Sequence, residues 1–182
     1  DRAREFFKPG IGDLHDPFLM DGMDKAVPRI LTALSSHEKV LVFGDYDVDG
    51  TNSAAMMVLF LREFGADAIF HIPDRVKEGY GLSKFGIDHG ADYGATLLVS
   101  IDCGITAVDQ VEYARTRGMD VIICDHHEPS EILPDAFAVL DPLIPGCGYP
   151  FKFLCGCGVG FKLIQGISSR LGNPDAAFRY LD

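Results

Sequence analysis

The run Gly44-Asp45-Tyr46-Asp47-Val48-Asp49-Gly50 follows directly on the apolar stretch Val40 to Phe43. Three carboxylates at alternate positions on a strand end cannot all be buried bare, because desolvating an unpaired ionised carboxylate costs several kcal/mol. A cation is therefore expected among them. Asp and Gly are also common in plain turns, but turn acids seldom recur at three alternate positions. Period two sends alternate side chains to one face, which brings at least two of Asp45, Asp47 and Asp49 to the same ion. Thr51 or Ser53 is then placed to cap the helix that follows, whose positive end also favours phosphate.

Two later stretches have the same form. Leu97 to Ile101 ends in Asp102-Cys103-Gly104-Ile105, and Val121 to Cys124 ends in Asp125-His126-His127. A lone acid after a strand is often only a helix cap, but Asp102 ends the next core strand, where it could bridge two ions. Adjacent histidines beside an acid at a strand end are uncommon in a satisfied core. One imidazole can ligate a metal while the other reaches a substrate, and Asp125 can fix a ring tautomer from behind. Oxygen-dominated coordination with one nitrogen suits Mn²⁺ or Mg²⁺ better than structural zinc. Cys147, Cys155 and Cys157 match no common zinc spacing and show no fourth ligand. The charged, Gly-rich loop Asp74 to Ser83 is either a solvated connection or a substrate contact. In the second case Arg75 or Lys77 meets phosphate while Tyr80 packs on a base or sugar.

These clusters need elements that deliver them to one place. From Lys39 onward, apolar strand-like runs alternate with helical patterns. The strands expected are Val40 to Phe43, Ala68 to Ile72, Leu97 to Ile101, Val121 to Cys124 and Ala136 to Leu140. Helices are expected near Ser53 to Phe64, Ser83 to His89 and Ala107 to Arg117. This order predicts an α/β fold, a doubly wound, mainly parallel five-stranded sheet with helices on both faces. A parallel sheet puts its carboxyl ends on one edge, so the three clusters would share one crevice. Residues 1–36 read as a lead-in with a helix over Met23 to Leu34, in which Pro28 is tolerated only with a kink. The tail reads as a Gly-rich turn, Cys155 to Gly160, then a helix to about Leu171 and another from near Pro174. The glycines of that turn would let backbone approach a ligand or a neighbouring helix.

At 182 residues and 47% hydrophobic content, the chain can bury one large core. The longest apolar run, Met56 to Leu61, is stopped by Arg62, far short of the roughly 20 residues that cross a bilayer. The first residues, Asp1 to Glu5, lack the apolar run of a signal peptide. A cytoplasmic protein with no membrane partner is the expectation. Five cysteines make an odd number for a disulfide framework, so reduced thiols are expected. The formal net charge of −11 argues against a surface that binds nucleic acid by charge alone. Two divalent cations would offset part of that charge where a phosphate must approach.

Taken together, Asp45-Tyr46-Asp47-Val48-Asp49-Gly50, Asp102-Cys103-Gly104-Ile105 and Asp125-His126-His127 resemble the DHH phosphoesterase superfamily. Glu78-Gly79-Tyr80-Gly81-Leu82-Ser83 and Gly158-Val159-Gly160-Phe161-Lys162 are similar to the RecJ-type branch, the single-stranded-DNA-specific exonucleases. The likeness spans about residues 20–182. It implies a two-metal site holding Mn²⁺ or Mg²⁺ in which Asp102 bridges both ions, Asp47 and Asp49 hold one each, Asp45 assists and His126 ligates the second. It implies that His127 contacts the scissile phosphate or the leaving oxygen. The implied activity is 5′ to 3′ hydrolysis of single-stranded DNA in repair and recombination, with a helicase or single-strand-binding protein as possible partner. Phosphodiesterase action on short oligonucleotides or cyclic dinucleotides, and an inactive scaffold of the same fold, are the alternatives.

Two positions depart from the family pattern. Cys103 stands where Asn is usual, and Phe43 stands where many members carry a His, so Asp45 is expected to take over that part. The resemblance also implies a further metal-binding Asp and a C-terminal nucleic-acid-binding domain beyond residue 182. Residues 37–182 are accordingly expected to be the N-terminal catalytic half, with an incomplete metal site on their own.

Overall fold

The computed structural model describes residues 7, 8 and 10–181. Asp1 to Glu5, read above for a leader, lie outside the described residues. Five strands form one parallel sheet: β1 (Lys39–Gly44), β2 (Asp67–His71), β3 (Ala95–Ile101), β4 (Asp120–Cys124) and β5 (Ala138–Leu140), in the order β2-β1-β3-β4-β5. The helices are α1 (Met23–Ser35), α2 (Val48–Glu63), α3 (Lys84–Tyr93), α4 (Val108–Thr116) and α5 (Gly156–Arg170), with a 3₁₀ segment at Pro174–Tyr180. The expected doubly wound architecture is the one observed.

The central strands are apolar without interruption because both their faces are covered. Along β1, Val40 and Val42 enter the core beneath α1, α2 and α5, while Leu41 and Phe43 enter the core beneath α3 and α4. In β4, Ile122 and Cys124 face the first core and Val121 and Ile123 the second. Period two thus assigns each residue to a face, and the crossover helices follow from it. Two polar ties hold the periphery. The Arg29 guanidinium joins Glu38 at 2.8 Å and Asp120 at 2.7 Å, fastening α1 to the starts of β1 and β4. Lys162, 2% exposed, donates to the His15 carbonyl and to Gln165 Oε1, each at 2.8 Å, and so straps the lead-in to α5.

Three boundaries differ from the sequence expectation, and each matters for the site. The second helix starts at Val48 rather than near Ser53, because Asp47 caps it by accepting the Gly50 N–H at 2.9 Å; neither Thr51 nor Ser53 is the cap. Asp45, Asp47 and Asp49 therefore do not alternate along a strand but span loop, cap and first helical turn. The Gly-rich stretch from Gly156 is helical from its first glycine, not a turn. Residues 136 and 137 precede β5 rather than open it. The remaining elements fall within a few residues of their expected places, and Pro28 lies inside α1.

The sheet order reverses between β1 and β3, and the crevice outside the carboxyl ends of those two strands is where such sheets bind ligands. Close packing behind it depends on small residues. A Cβ at Gly86 in α3 would lie 2.4 Å from Phe43 Cε2 and 2.5 Å from His71 Cδ2. Alanine gains roughly 1 kcal/mol of helix propensity over glycine, whereas overpacking a tight core costs about 1–3 kcal/mol. Gly86→Ala should therefore lower the urea midpoint with an unchanged m-value. A midpoint that rises would show that the two rings yield freely.

Candidate metal centre

The turn from β1 into α2 is tight enough to press α2's first turn against Asp45. A Cβ on Gly50 would sit 2.4 Å from the Asp45 nitrogen. Asp45 is 1% exposed, and burial raises its carboxyl pKa; the Gly81 N–H reaches its Oδ1 at 3.4 Å. Asp102, after β3, is 2% exposed and adopts φ of 65°, a left-handed conformation that non-glycine residues enter at a cost. The bond from its N–H to the Cys124 carbonyl, 2.9 Å, holds it there. Burial, then the negative charges of Asp49 and Asp47, push the Asp102 carboxyl up to about 8.

Asp125 organises the other side. Its Oδ1 accepts from the His126 N–H at 2.8 Å and the His127 N–H at 3.3 Å, and lies 2.7 Å from His127 Nδ1. Its Oδ2 accepts from the Ile105 N–H at 2.9 Å, tying the loop after β3 to the end of β4. A carboxylate can only accept, so His127 Nδ1 carries a proton and Nε2 faces the Tyr80 hydroxyl at 3.2 Å. His126 Nε2 stands 3.1 Å from Asp102 Oδ1 and 3.7 Å from Asp49 Oδ2.

Two trios of possible ligands result. Asp45, Asp47 and Asp102 bring one oxygen each within 4.8 Å of one another, and Asp102, His126 and His127 do the same with their ligand atoms. Both trios contain Asp102, so a carboxylate shared between two cations is compatible with the arrangement. Burial and, after it, like-charge crowding raise the Asp102 pKa, and a divalent cation would oppose both; the oxygen-rich donor set with imidazole matches Mn²⁺ or Mg²⁺. The residues fit such ions. Asp49 belongs to neither trio; its oxygens accept the Gly156 and Cys157 N–H groups at 2.7 Å each.

The remaining sequence candidates fall around this centre. Tyr80 bonds His127 and lies 3.4 Å from the Asp102 carbonyl. Arg75 stacks on Tyr46, with its guanidinium carbon 5.4 Å from the ring centre, and Tyr46 meets Tyr80 edge-on at 6.3 Å. A cleft of about 650 Å³ lined by Asp47, Val48, Asp49, Asn52, Cys155 and Cys157 opens beside the acids. All five cysteines are free thiols, and none joins a ligand group among the described residues. Cys103 is buried, with Sγ 3.7 Å from the Ile101 carbonyl.

Sequence reasoning misses three contributors. Tyr46 reads as a spacer between acids, although an aromatic ring beside a candidate phosphate site is itself a signal. Asp141 follows β5 as Asp102 follows β3, and the same rule applied there finds it; it is 1% exposed, its Oδ2 has no partner among the described residues, and burial pushes its carboxyl up to about 7. Glu78 accepts from Ser83 Oγ and the Asp74 N–H and pairs with His71 at 2.9 Å, closing the loop that carries Tyr80. No local signal marks that triple contact.

The DHH family, N-terminal domain, matches residues 39–181. The chain is 44% identical over 173 residues to the single-stranded-DNA-specific exonuclease RecJ of Bacillus subtilis, covering 95% of this chain and 22% of that protein. A crystal structure of exonuclease RecJ bound to manganese superposes with a TM-score of 0.78 at 32% identity, over 85% of this chain and 39% of that one. RecJ from Thermus thermophilus in complex with Mn²⁺ superposes with a TM-score of 0.76 at 28% identity, over 97% of this chain and 25% of that one. The chain spans about a quarter of the length of the curated relatives it matches.

The folded pKa of Asp102, about 8, lies above its ordinary value of 3.8. Its contribution to stability is complete below the lower value and is lost as pH rises through the upper one. Without metal, stability should therefore fall between pH 4 and 8, and Asp102→Asn should remove part of that slope. In chelator the variant should melt above the native protein near the upper value, the gap closing as pH falls toward the lower one. Added Mn²⁺ should raise the native melting temperature more than the variant's. A variant that melts lower than the native protein at the alkaline end would exclude an unfavourably buried and crowded carboxylate at this site.

Proposed function

The chain belongs to the DHH family, and from that membership we propose that it forms the N-terminal part of the catalytic region of a metal-dependent exonuclease specific for single-stranded DNA. The observation that carries this reading is the pair of ligand trios sharing Asp102, set beside the Tyr46 and Tyr80 rings. Two Mn²⁺ or Mg²⁺ ions fit the donors present. Asp45 and Asp47 would hold one, His126 the other, with Asp49 and the shared Asp102 completing the set. Such ions, when bound, activate a water and offset the negative charge that develops on the phosphate.

The chain's own groups account for the rest. Asp125 holds the His127 ring so that Nε2 faces the substrate side, where it can meet a phosphate or leaving oxygen. The Tyr80 hydroxyl meets that ring at Nε2, 3.2 Å away, and steadies it from the other side. Tyr46 and Tyr80 offer ring faces and edges to bases of any identity, and Arg75 adds a cation that can pass from the ring to a phosphate. Base stacking is sequence-tolerant and requires unpaired bases, which a duplex does not present. With a net charge of −11, strand affinity would come from these local contacts and from a nucleic-acid-binding domain outside this segment. A helicase or single-strand-binding protein in the cytoplasm would supply the substrate.

The test uses the full-length protein carrying this sequence, with Mn²⁺, on a 5′-labelled single strand, the matching duplex and a dinucleotide. Shortening of the single strand ahead of the duplex, abolished by Asp102→Ala, is the expected result. Cleavage of the dinucleotide alone would move the activity to small phosphodiesters, and no turnover with intact partner binding would identify a scaffold. Asp125→Asn should cost about 10–100-fold in metal affinity or rate. Tyr46→Ala should raise KM for the single strand about 5–150-fold, from the roughly 1–3 kcal/mol of a base stack, with kcat nearly unchanged. An unchanged KM would remove Tyr46 from the strand path.

A further inference from the structure

Helix α5 reaches the metal centre with its N-terminus, and both carboxylate oxygens of Asp49 are taken up there. Gly156 N–H donates to Oδ2 and Cys157 N–H to Oδ1, each at 2.7 Å, across more than a hundred residues of sequence. The helix's own cap residue is Cys155, whose thiol is a weak acceptor, 3.4 Å from the Gly158 N–H. A carboxylate from α2 therefore satisfies the first two orphan donors of α5. A second observation ties the same place to Asp102. A Cβ on Gly156 would lie 2.5 Å from Asp102 Cβ, 2.6 Å from Oδ1 and 2.8 Å from Cα. Glycine at 156 is thus what lets the helix end come close enough to hold Asp49 while touching Asp102.

We propose that the N-terminus of α5, through the Gly156 and Cys157 N–H groups, is a positioning element of the metal centre that presets Asp49 for the cation on the His126 side. This rests on the two-ion reading above. Each carboxylate oxygen has two lone-pair directions, so one backbone bond per oxygen orients the group and leaves a lone pair for an ion. Oδ2 is the oxygen turned toward His126, at 3.7 Å from Nε2, and His126 in turn faces Asp102. Among the described residues the Asp45 and Asp47 side has no contact with α5 of this kind, so the two ions should respond differently when α5 is disturbed. If Asp49 instead only caps α5, disturbing the helix end should change stability and leave metal binding alone.

An added methyl at 156 would have to move from 2.5 Å to an ordinary contact of 3.4 Å or more, a retreat of about 1 Å that breaks the 2.7 Å bonds to Asp49. In the full-length protein, Mn²⁺ binding is followed by electron paramagnetic resonance titration for the native chain, Gly156→Ala and the control Gly158→Ala. Far-ultraviolet circular dichroism reports folding for each. The native chain and the control should bind two ions alike, while folded Gly156→Ala should weaken one ion about 10–100-fold and the other less, because its methyl also meets the shared Asp102. If Gly156→Ala does not fold, Cys157→Pro removes a single donor in the first helical turn, where proline is tolerated, and should give the same selective loss. A folded variant that binds both ions as the native chain does, or weakens both equally, overturns the positioning role. A native chain that binds fewer than two ions overturns the two-ion reading itself.

Discussion

Four aspartates converge at the carboxyl ends of β1 and β3, and their mutual repulsion is the constraint on which the site is built. Asp45 and Asp102 are nearly sealed from solvent, and Asp47 and Asp49 lie close enough to raise the Asp102 pKa. Crowding of this kind is unfavourable in the bare protein. The fold opposes it with backbone donors and strain: the α5 N-terminus on Asp49, the Gly50 N–H on Asp47, and a left-handed φ that keeps Asp102 on its mark. A rigid sheet edge can sustain such a conflict, because strands β1 and β3 are packed on both faces and cannot splay.

The same rigidity orients the second half of the site. Asp125 is nearly inaccessible and commits one oxygen to the loop after β3 and the other to the His126–His127 backbone and the His127 ring. Its role is to aim imidazole. The Tyr80 loop is fastened separately, through Glu78, to His71 on β2 and to Ser83, the cap of α3. Carboxylates, imidazoles and aromatic rings are thus each anchored to a different strand or helix end, and their separation is set by strand spacing rather than by flexible side chains.

Much of this was legible in the linear chain. The uninterrupted apolar runs at residues 40–43, 97–101 and 121–124 could only be strands buried on both faces, and a parallel sheet then had to gather the acids that follow them. That logic gave the order of elements and placed the candidates Asp45, Asp47, Asp49, Asp102, His126 and His127 on one edge of the sheet. It failed where competing local chemistry won. Asp47 outcompeted Thr51 and Ser53 as a cap, so α2 begins earlier than expected and the three acids do not share a strand. The alternate glycines at 156, 158 and 160 looked like a turn, yet Gly156–Arg170 is helical because its small residues let α5 pack against β3 and α1; a Cβ at Gly160 would already crowd Ile101 at 3.2 Å.

The sequence by itself determined which groups could do chemistry and on which edge of the sheet they would lie, because residue type and strand period are local properties. Tertiary structure alone decided how they are shared. That Asp49 turns to the α5 N-terminus, that Asp102 stands in both ligand trios, that His127 is held between Asp125 and Tyr80, and that Tyr46 joins Arg75 at the rim all depend on contacts between segments far apart in the chain. Distances of that kind are set by how helices and strands pack, and no pattern within a single segment records them.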